Sequence, residues 1–295
     1  MRTPAIVVAV DGTDSSRAAV RWAAREAELS NQPLLLVHVM DWDWAAARYD
    51  FGSEHFETAR KSADGIAARA ATEATTVAPA IDVSTDVAIG DPSAQLIIAS
   101  EGAHLLVLGN RGRGGFAGLH LGSVSQRVAM HAACPIVVVR GRTTPLQGPI
   151  AVGIDDTDGA DEVLEAAFTA ARARGTSLSV IRSFVPVLMS YWGHLPPAQV
   201  HTPEQDDAER ARLTAQLAPW REKYPDVPVE ILLSHDSAAA LLVGVSHGTQ
   251  LVVVGSRGHG VIAGTLLGST GLQLLHHAEC PVLIVRPHGK RDSGR

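Results

Sequence analysis

The chain has 295 residues and a formal net charge of −6, and 46% of its residues are hydrophobic, 19% charged and 4% aromatic. Its length fits two domains of ordinary size, and its apolar content excludes a wholly disordered chain. The negative charge argues against nucleic acid as the main partner, and the lack of a signal-peptide pattern or of an apolar run of roughly 18 residues predicts a cytoplasmic protein with no membrane partner.

Strand-like and helix-like segments alternate along the first half of the sequence. Runs of β-branched and aliphatic residues predict the strands, and alanine-rich segments preceded by capping residues predict the helices. In chain order we predict a strand over Ala5–Val10, a helix that Asp14 or Ser15 caps and that runs to about Leu29, a strand over Leu34–Val39, a helix over Phe56–Ala74 and a strand over Ile81–Ala88. These are followed by a helix over Ser93–Glu101, a strand over Leu105–Leu108, a helix over Val124–His131 and a strand over Ile136–Val139. The second half follows the same order and ends with a strand over Val282–Val285.

The second half of the chain is a copy of the first. The 32 residues Gly109–Arg140 share 15 identities with Gly255–Arg286, and a linker rich in Gly, Thr and Pro covers Gly141–Pro149. A duplication of this length indicates two copies of one domain, which we place at residues 1–141 and 148–288. Because strands alternate with helices, we predict two tandem Rossmann-like α/β domains, each an open parallel sheet of five strands with helices on both faces.

Each half carries the pattern G-x2-G-x9-G-S directly after its fourth predicted strand. Glycine lets main-chain amides approach a phosphate closely, and the helix that begins at the serine offers free amides and a positive dipole end. Asp11 and Asp155 follow the first strand of each half, where they can accept hydrogen bonds from ribose hydroxyls. Glycines that only shape loops are the alternative, but two full copies with a strand-one aspartate favour a nucleotide site in at least one half. The motif residues are Gly109, Gly112, Gly122 and Ser123, and Gly255, Gly258, Gly268 and Ser269.

These motifs, a Val-x-x-Gly-x-Pro segment at Val87–Pro92 and the Cys-Pro pairs before both closing strands resemble those of tandem universal stress proteins. The resemblance covers nearly all of both halves and implies the strand order 3-2-1-4-5, binding of ATP with Mg²⁺, and association into a homodimer. In the first half it implies a ribose contact at Asp11, base contacts at Val39 and Leu108, and phosphate or ribose contacts at Gly109, Arg111, Gly112, Gly122, Ser123, Val124 and Ser125. In the second half the matching positions are Asp155, Ser183, Val254, Gly255, Arg257, Gly258, Gly268, Ser269, Thr270 and Gly271.

The second half departs from the motif in ways that predict a weaker site. Asp156 stands in place of Gly12, which adds a negative charge near a site for a polyanion. Gly271 stands in place of Ser125, which removes a hydroxyl. We therefore expect the first half to bind nucleotide more tightly.

The same residues favour a nucleotide-responsive regulator of stress or growth over an enzyme. Hydrolysis of ATP needs a group that orients water and a group that stabilises developing charge. Arg111 and Arg257 can supply the second, but the motif offers no clear water-orienting group other than Asp11. We therefore predict no catalytic residue and no protein-held metal. A slow ATPase or a self-phosphorylating protein is the alternative.

Overall fold

A computed structural model describes residues 4–42, 53–113, 120–142, 148–157, 159–184, 203–257 and 267–286 of the chain. The chain divides into two units, unit 1 over Met1–Thr143 and unit 2 over Thr144–Arg295. Among the residues so described, no helix combines the length and the apolar character needed to cross a membrane.

Unit 1 is a parallel sheet of five strands in the order β3-β2-β1-β4-β5. This order confirms the prediction. The strands are β1 (Ile6–Val10), β2 (Leu34–Met40), β3 (Val83–Ile89), β4 (Leu105–Gly109) and β5 (Ile136–Val139), and the helices are α1 (Asp14–Ser30), α2 (Ser53–Val77), α3 (Pro92–Ser100) and α4 (Ser123–His131).

Unit 2 repeats this topology in the order β8-β7-β6-β9-β10, again with parallel pairing. Its strands are β6 (Ile150–Gly153), β7 (Leu178–Ser183), β8 (Val229–Ser234), β9 (Leu251–Gly255) and β10 (Val282–Val285), and its helices are α5 (Ala160–Ala173), α6 (Pro203–Lys223), α7 (Ala238–Val245) and α8 (Ser269–His277). The prediction of tandem Rossmann-like domains is confirmed.

Local chemistry sets the ends of these elements. Thr13, and not the predicted Asp14 or Ser15, caps α1, because its side chain accepts a hydrogen bond from Ser16 N. The C-cap of α1 is Asn31, whose φ of 51° is left-handed. The third strand begins at Val83 and not at the predicted Ile81, because Ile81 N donates to the carbonyl of Ala78 in a turn.

The central strands hold the core of each unit. Every residue of β4 and of β5 is buried, as are the four residues of β10. Strands covered on both faces need continuous apolar sequence, which explains the Val, Leu and Ile runs.

In unit 1, β1 lies between β2 and β4, so the chain winds in opposite directions on its two sides. A crevice at the carboxyl edge of such a sheet is the usual place for a ligand.

Candidate functional site

One main-chain hydrogen bond closes the glycine loop of each unit. Gly122 N donates to the carbonyl of Asn110 over 2.8 Å, and Gly268 N donates to the carbonyl of Ser256 over the same distance. Asn110 follows β4 directly, and Ser256 follows β9 directly. The bond therefore brings the start of α4 to the carboxyl end of β4, and the start of α8 to the carboxyl end of β9. The duplicated motif therefore builds the same loop closure twice.

The helices that follow these loops begin without a side-chain cap. Gly122 and Gly268 occupy the N-cap positions in extended conformations, and neither α4 nor α8 has a capping side chain. Ser123 and Ser269, the first helical residues, are both exposed. The amides of the first helical turn are thus left for a partner other than a side-chain cap, and an anion is a suitable one.

The strand-one aspartates are held in matching turns. Asp11 Oδ1 accepts hydrogen bonds from Thr13 N at 3.0 Å and Thr13 Oγ1 at 2.7 Å. Asp155 Oδ1 accepts the same pair from Thr157. In both units one carboxylate oxygen is committed to this turn, and in unit 1 the second oxygen of Asp11 is left for a ligand.

In unit 1 the structure brings Asp11, Gly112 and Gly122 together. A β-carbon on Gly112 would lie 2.9 Å from Asp11 Oδ2, and a β-carbon on Gly122 would lie 3.5 Å from Gly112 N. Any side chain at position 112 would therefore displace the aspartate. The predicted ribose and phosphate residues of unit 1 thus share one small region.

Ser15 joins this loop to α1, whereas sequence reasoning considered it only as a candidate cap for α1. Its Oγ donates to Asn110 Oδ1 at 2.8 Å and accepts from Arg111 N at 3.2 Å. Gly109 lies directly beneath, since a β-carbon there would be 2.5 Å from Ser15 Oγ. The signal that could have found Ser15 is its replacement in the second repeat by Gly159, which makes no such bond.

The other predicted site residues range from buried to exposed. Ser125 is buried, and its Oγ donates to the carbonyl of Gly109 at 2.8 Å, which makes it a support for the loop. Leu108 and Val254 are buried within their strands. The remaining predicted positions lie at the carboxyl edge, with Arg111 and Arg257 exposed and with Val39, Val124, Gly255 and Thr270 partly exposed. Gly258 lies outside the described residues.

Unit 2 fills the corresponding edge with an ion-pair network. The buried Arg182 pairs with Asp156 and, through Nε, with Glu209 Oε1 at 2.8 Å. Arg212 completes the network with Asp156 Oδ2 at 3.1 Å and Glu209 Oε2 at 3.0 Å. Hydrogen bonding from the Arg182 guanidinium, opposed by partial burial, holds the pKa of the Asp156 carboxyl below its ordinary value.

This network corrects the reason given for a weaker second site. The charge of Asp156, which we expected to repel a polyanion, is compensated by two arginines of its own unit. In unit 1 the residue at the strand position of Arg182 is His38, whose Nδ1 lies 2.6 Å from the carbonyl oxygen of Val10. The two units therefore differ by a self-contained network and not by a net repulsive charge.

Further contacts of unit 2 engage the ends of β7 and β8. Ser183 Oγ donates to the carbonyl of Asp236, and His235 Nε2 lies 2.7 Å from Asp206 Oδ1. The rings of Phe184 and His235 are in edge-to-face contact, with their centroids 4.8 Å apart. Polar and aromatic contacts thus occupy the edge that corresponds to the Val39 side of unit 1.

Comparison with known proteins agrees with the fold and the motifs. The model described as the universal stress protein family matches residues 3–140 and 148–286. A universal stress protein of Mycolicibacterium smegmatis is 34% identical over 293 residues, covering 96% of this chain and 97% of that protein. One from Mycobacterium tuberculosis is 34% identical over 290 residues, covering 95% and 96%. The crystal structure of a universal stress protein from Archaeoglobus fulgidus has a TM-score of 0.72 at 18% identity and covers 97% of this chain and 98% of that one.

Proposed function

The chain belongs to the universal stress protein family, and on that premise we propose that unit 1 binds ATP together with Mg²⁺ and that this binding couples to a stress response or to growth regulation. One observation carries the proposal. The uncapped start of α4 is held against the end of β4 beside Asp11 and Gly112.

The residues of unit 1 fit an adenine nucleotide. The amides of the first turn of α4 and the exposed Arg111 suit phosphates, which favour helix N-termini and guanidinium groups. Asp11 has one oxygen free of its turn for a ribose hydroxyl. Mg²⁺ arrives with the phosphates and needs few protein ligands. The partly exposed Val39 at the end of β2 suits the base.

We propose binding and signalling in preference to turnover. Asp11 is the carboxylate that could orient water, but Thr13 already engages one of its oxygens, and our proposal gives the other to a ribose hydroxyl. A slow ATPase is the second candidate and rests on the exposed Arg111. Our proposal also includes pairing of two chains in the cytoplasm, with no surface assigned to the pairing.

Ser123→Glu in unit 1 tests the nucleotide site without harming the fold. A carboxylate in the first turn stabilises a helix by roughly 0.3–1 kcal/mol, yet it places a negative charge where the phosphates would bind. We expect ATP affinity to fall by at least about tenfold while the melting temperature stays level or rises. Calorimetry with ATP and Mg²⁺, alongside thermal unfolding, measures both. A wild-type protein that does not bind ATP, or a Ser123→Glu variant that binds it as before, would contradict the proposal.

The matched variant Ser269→Glu tests which unit is used. Ser269 is exposed and is the first residue of α8, whose N-cap Gly268 offers no capping side chain, and Ser123 has the same position in α4. We expect this variant to bind ATP like the wild type, because the Asp156 network and the Ser183 contact occupy the edge of unit 2. Nucleotide released from denatured protein should then amount to about one molecule per chain. Two per chain, with equal losses in both variants, would refute the asymmetry.

A further inference from the structure

Unit 1 carries three exposed arginines near its carboxyl edge whose charges are not compensated. Arg69 lies on α2, and Arg111 and Arg113 lie in the loop after β4. Within the described ranges, no carboxylate comes within 4.0 Å of their nitrogens. Exposed arginines usually interact with solvent or a counter-ion. Their role in ligand binding therefore depends on where they lie relative to the free amides of the first turn of α4, which we call the amide cradle.

Arg113 reaches across the end of β1. Its Nη2 lies 3.3 Å from the point that a β-carbon on Gly12 would occupy, and Ile66 Cγ1 lies 3.6 Å from the same point. The guanidinium of Arg113 and the Ile66 side chain of α2 therefore both approach Gly12. Gly12 has a φ of 83°, a left-handed conformation that glycine adopts without strain. A larger residue there would be strained and would push the arginine away.

Arg69 extends this basic position along α2. It lies three residues after Ile66, on the same side of the helix. Together with Gly12 and Ile66 it lines a groove of about 650 Å³ between α1 and α2. The two arginines that α1 contributes to this groove both pair with Glu73. Arg69 is thus the groove arginine that the described residues leave uncompensated.

We infer that Arg113 and Arg69 form a second phosphate position in unit 1. It is distinct from the amides at the start of α4, because Arg113 approaches Gly12, whereas Gly122 at the start of α4 lies close to Gly112. The inference rests on the proposed nucleotide site and adds a requirement for a second phosphate. Arginine suits this role because its guanidinium forms charge-assisted hydrogen bonds with phosphate oxygens.

Two parts of an adenine nucleotide can supply that phosphate. One is the distal end of a 5′-triphosphate, and the other is a phosphate on the ribose, whose expected contact Asp11 adjoins Gly12. A nucleoside monophosphate offers neither. Unit 2 lacks the position, because Ala215 and Asp156 stand where unit 1 has Arg69 and Gly12.

Calorimetry with three probes tests the inference. ATP, adenosine 3′,5′-bisphosphate and AMP are titrated into the wild type, Arg69→Gln, Arg113→Gln and the control Lys61→Gln. Lys61 is exposed on α2, makes no ion pair with the residues that the structure describes and does not line the groove, so its substitution removes the same charge elsewhere on that helix. We expect each arginine variant to lose about tenfold in affinity for the probe that carries the second phosphate. AMP affinity should change by less than about twofold, and the control should match the wild type.

The outcomes separate this inference from the proposed function. A selective loss for ATP identifies a triphosphate, and a selective loss for the bisphosphate identifies a ribose phosphate. Equal losses for all three probes, or no loss, overturn the second phosphate position. A wild type that binds AMP as tightly as both other probes overturns it too, while the nucleotide site stands. If the wild type binds none of the three, the proposed function and this inference fail together.

Discussion

Gly109→Ala is expected to destabilise the protein by about 3 kcal/mol, because α1 leaves no room for a side chain at this position. The added β-carbon would lie 2.5 Å from Ser15 Oγ and 2.8 Å from the main-chain carbonyl of Ser15. Backbone of a helix cannot move aside cheaply, so α1 would have to shift away from β4. That shift would also break the bonds of Ser15 to Asn110 and to Arg111 N. Chemical denaturation measures the loss as a change in the free energy of unfolding.

Gly102→Ala is the matched control for this substitution. A β-carbon on Gly102 meets nothing within 4 Å, so we expect a change within about 0.5 kcal/mol. Equal stability of the Gly109→Ala and Gly102→Ala variants would show that α1 yields at no cost and that the tight contact is unimportant. The result also bears on function. Loss of ATP binding in Gly109→Ala would not identify a phosphate contact, whereas Ser123→Glu leaves the packing intact.

Arg182→Met is expected to cost about 3 kcal/mol, because it removes the buried cation of the unit 2 network. Arg182 has a side chain only 5% exposed, and Glu209, its partner, is 9% exposed. Without the arginine, the described residues leave Arg212, whose side chain is 64% exposed, as the cation paired with the carboxylates of Glu209 and Asp156. Denaturant unfolding of the variant measures the effect, with Arg221→Met, an exposed arginine of the same unit, as the control.

The pH dependence of stability gives the same variant a second readout. The pKa of Asp156 is lower in the folded protein than its ordinary value of 3.8, chiefly because Arg182 bonds the ionised form. A lowered folded-state pKa contributes stability that is present above the ordinary value and is lost as the pH falls through the folded value. The wild type should therefore lose this contribution below about pH 4, and Arg182→Met should show less of that loss.

A double variant separates a broken pair from lost packing. Arg182→Met combined with Glu209→Leu replaces both buried charges by apolar groups, an exchange that is often neutral. We expect it to regain most of the stability that Arg182→Met loses. Unit 1 has Ala63 at the position of Glu209, which shows that this fold accepts an apolar residue there. A double variant as unstable as the single one would mean that the shape of Arg182 matters more than its charge.

The sequence by itself determined the duplication, the α/β class and the position of the glycine loops. These features are local, because strand and helix periodicity and the G-x2-G-x9-G-S spacing are read within a short window. The strand order followed from the family resemblance, and the structure confirmed it in both units. Small differences remained at element ends, such as the start of β3 at Val83, where a turn competes with the strand.

Only the tertiary structure decided what several motif residues do. Gly109 is required by Ser15, which is 95 residues from the Asn110 that it bonds. Asp156 looked like an uncompensated charge until the fold placed Arg182 and Arg212 beside it, 26 and 56 residues away. Contacts at such separations depend on how helices lie on the sheet, and a pattern along the chain carries no record of them. The sequence therefore located the candidate site, while long-range packing determined which of its residues support the loop and which are left to face a ligand.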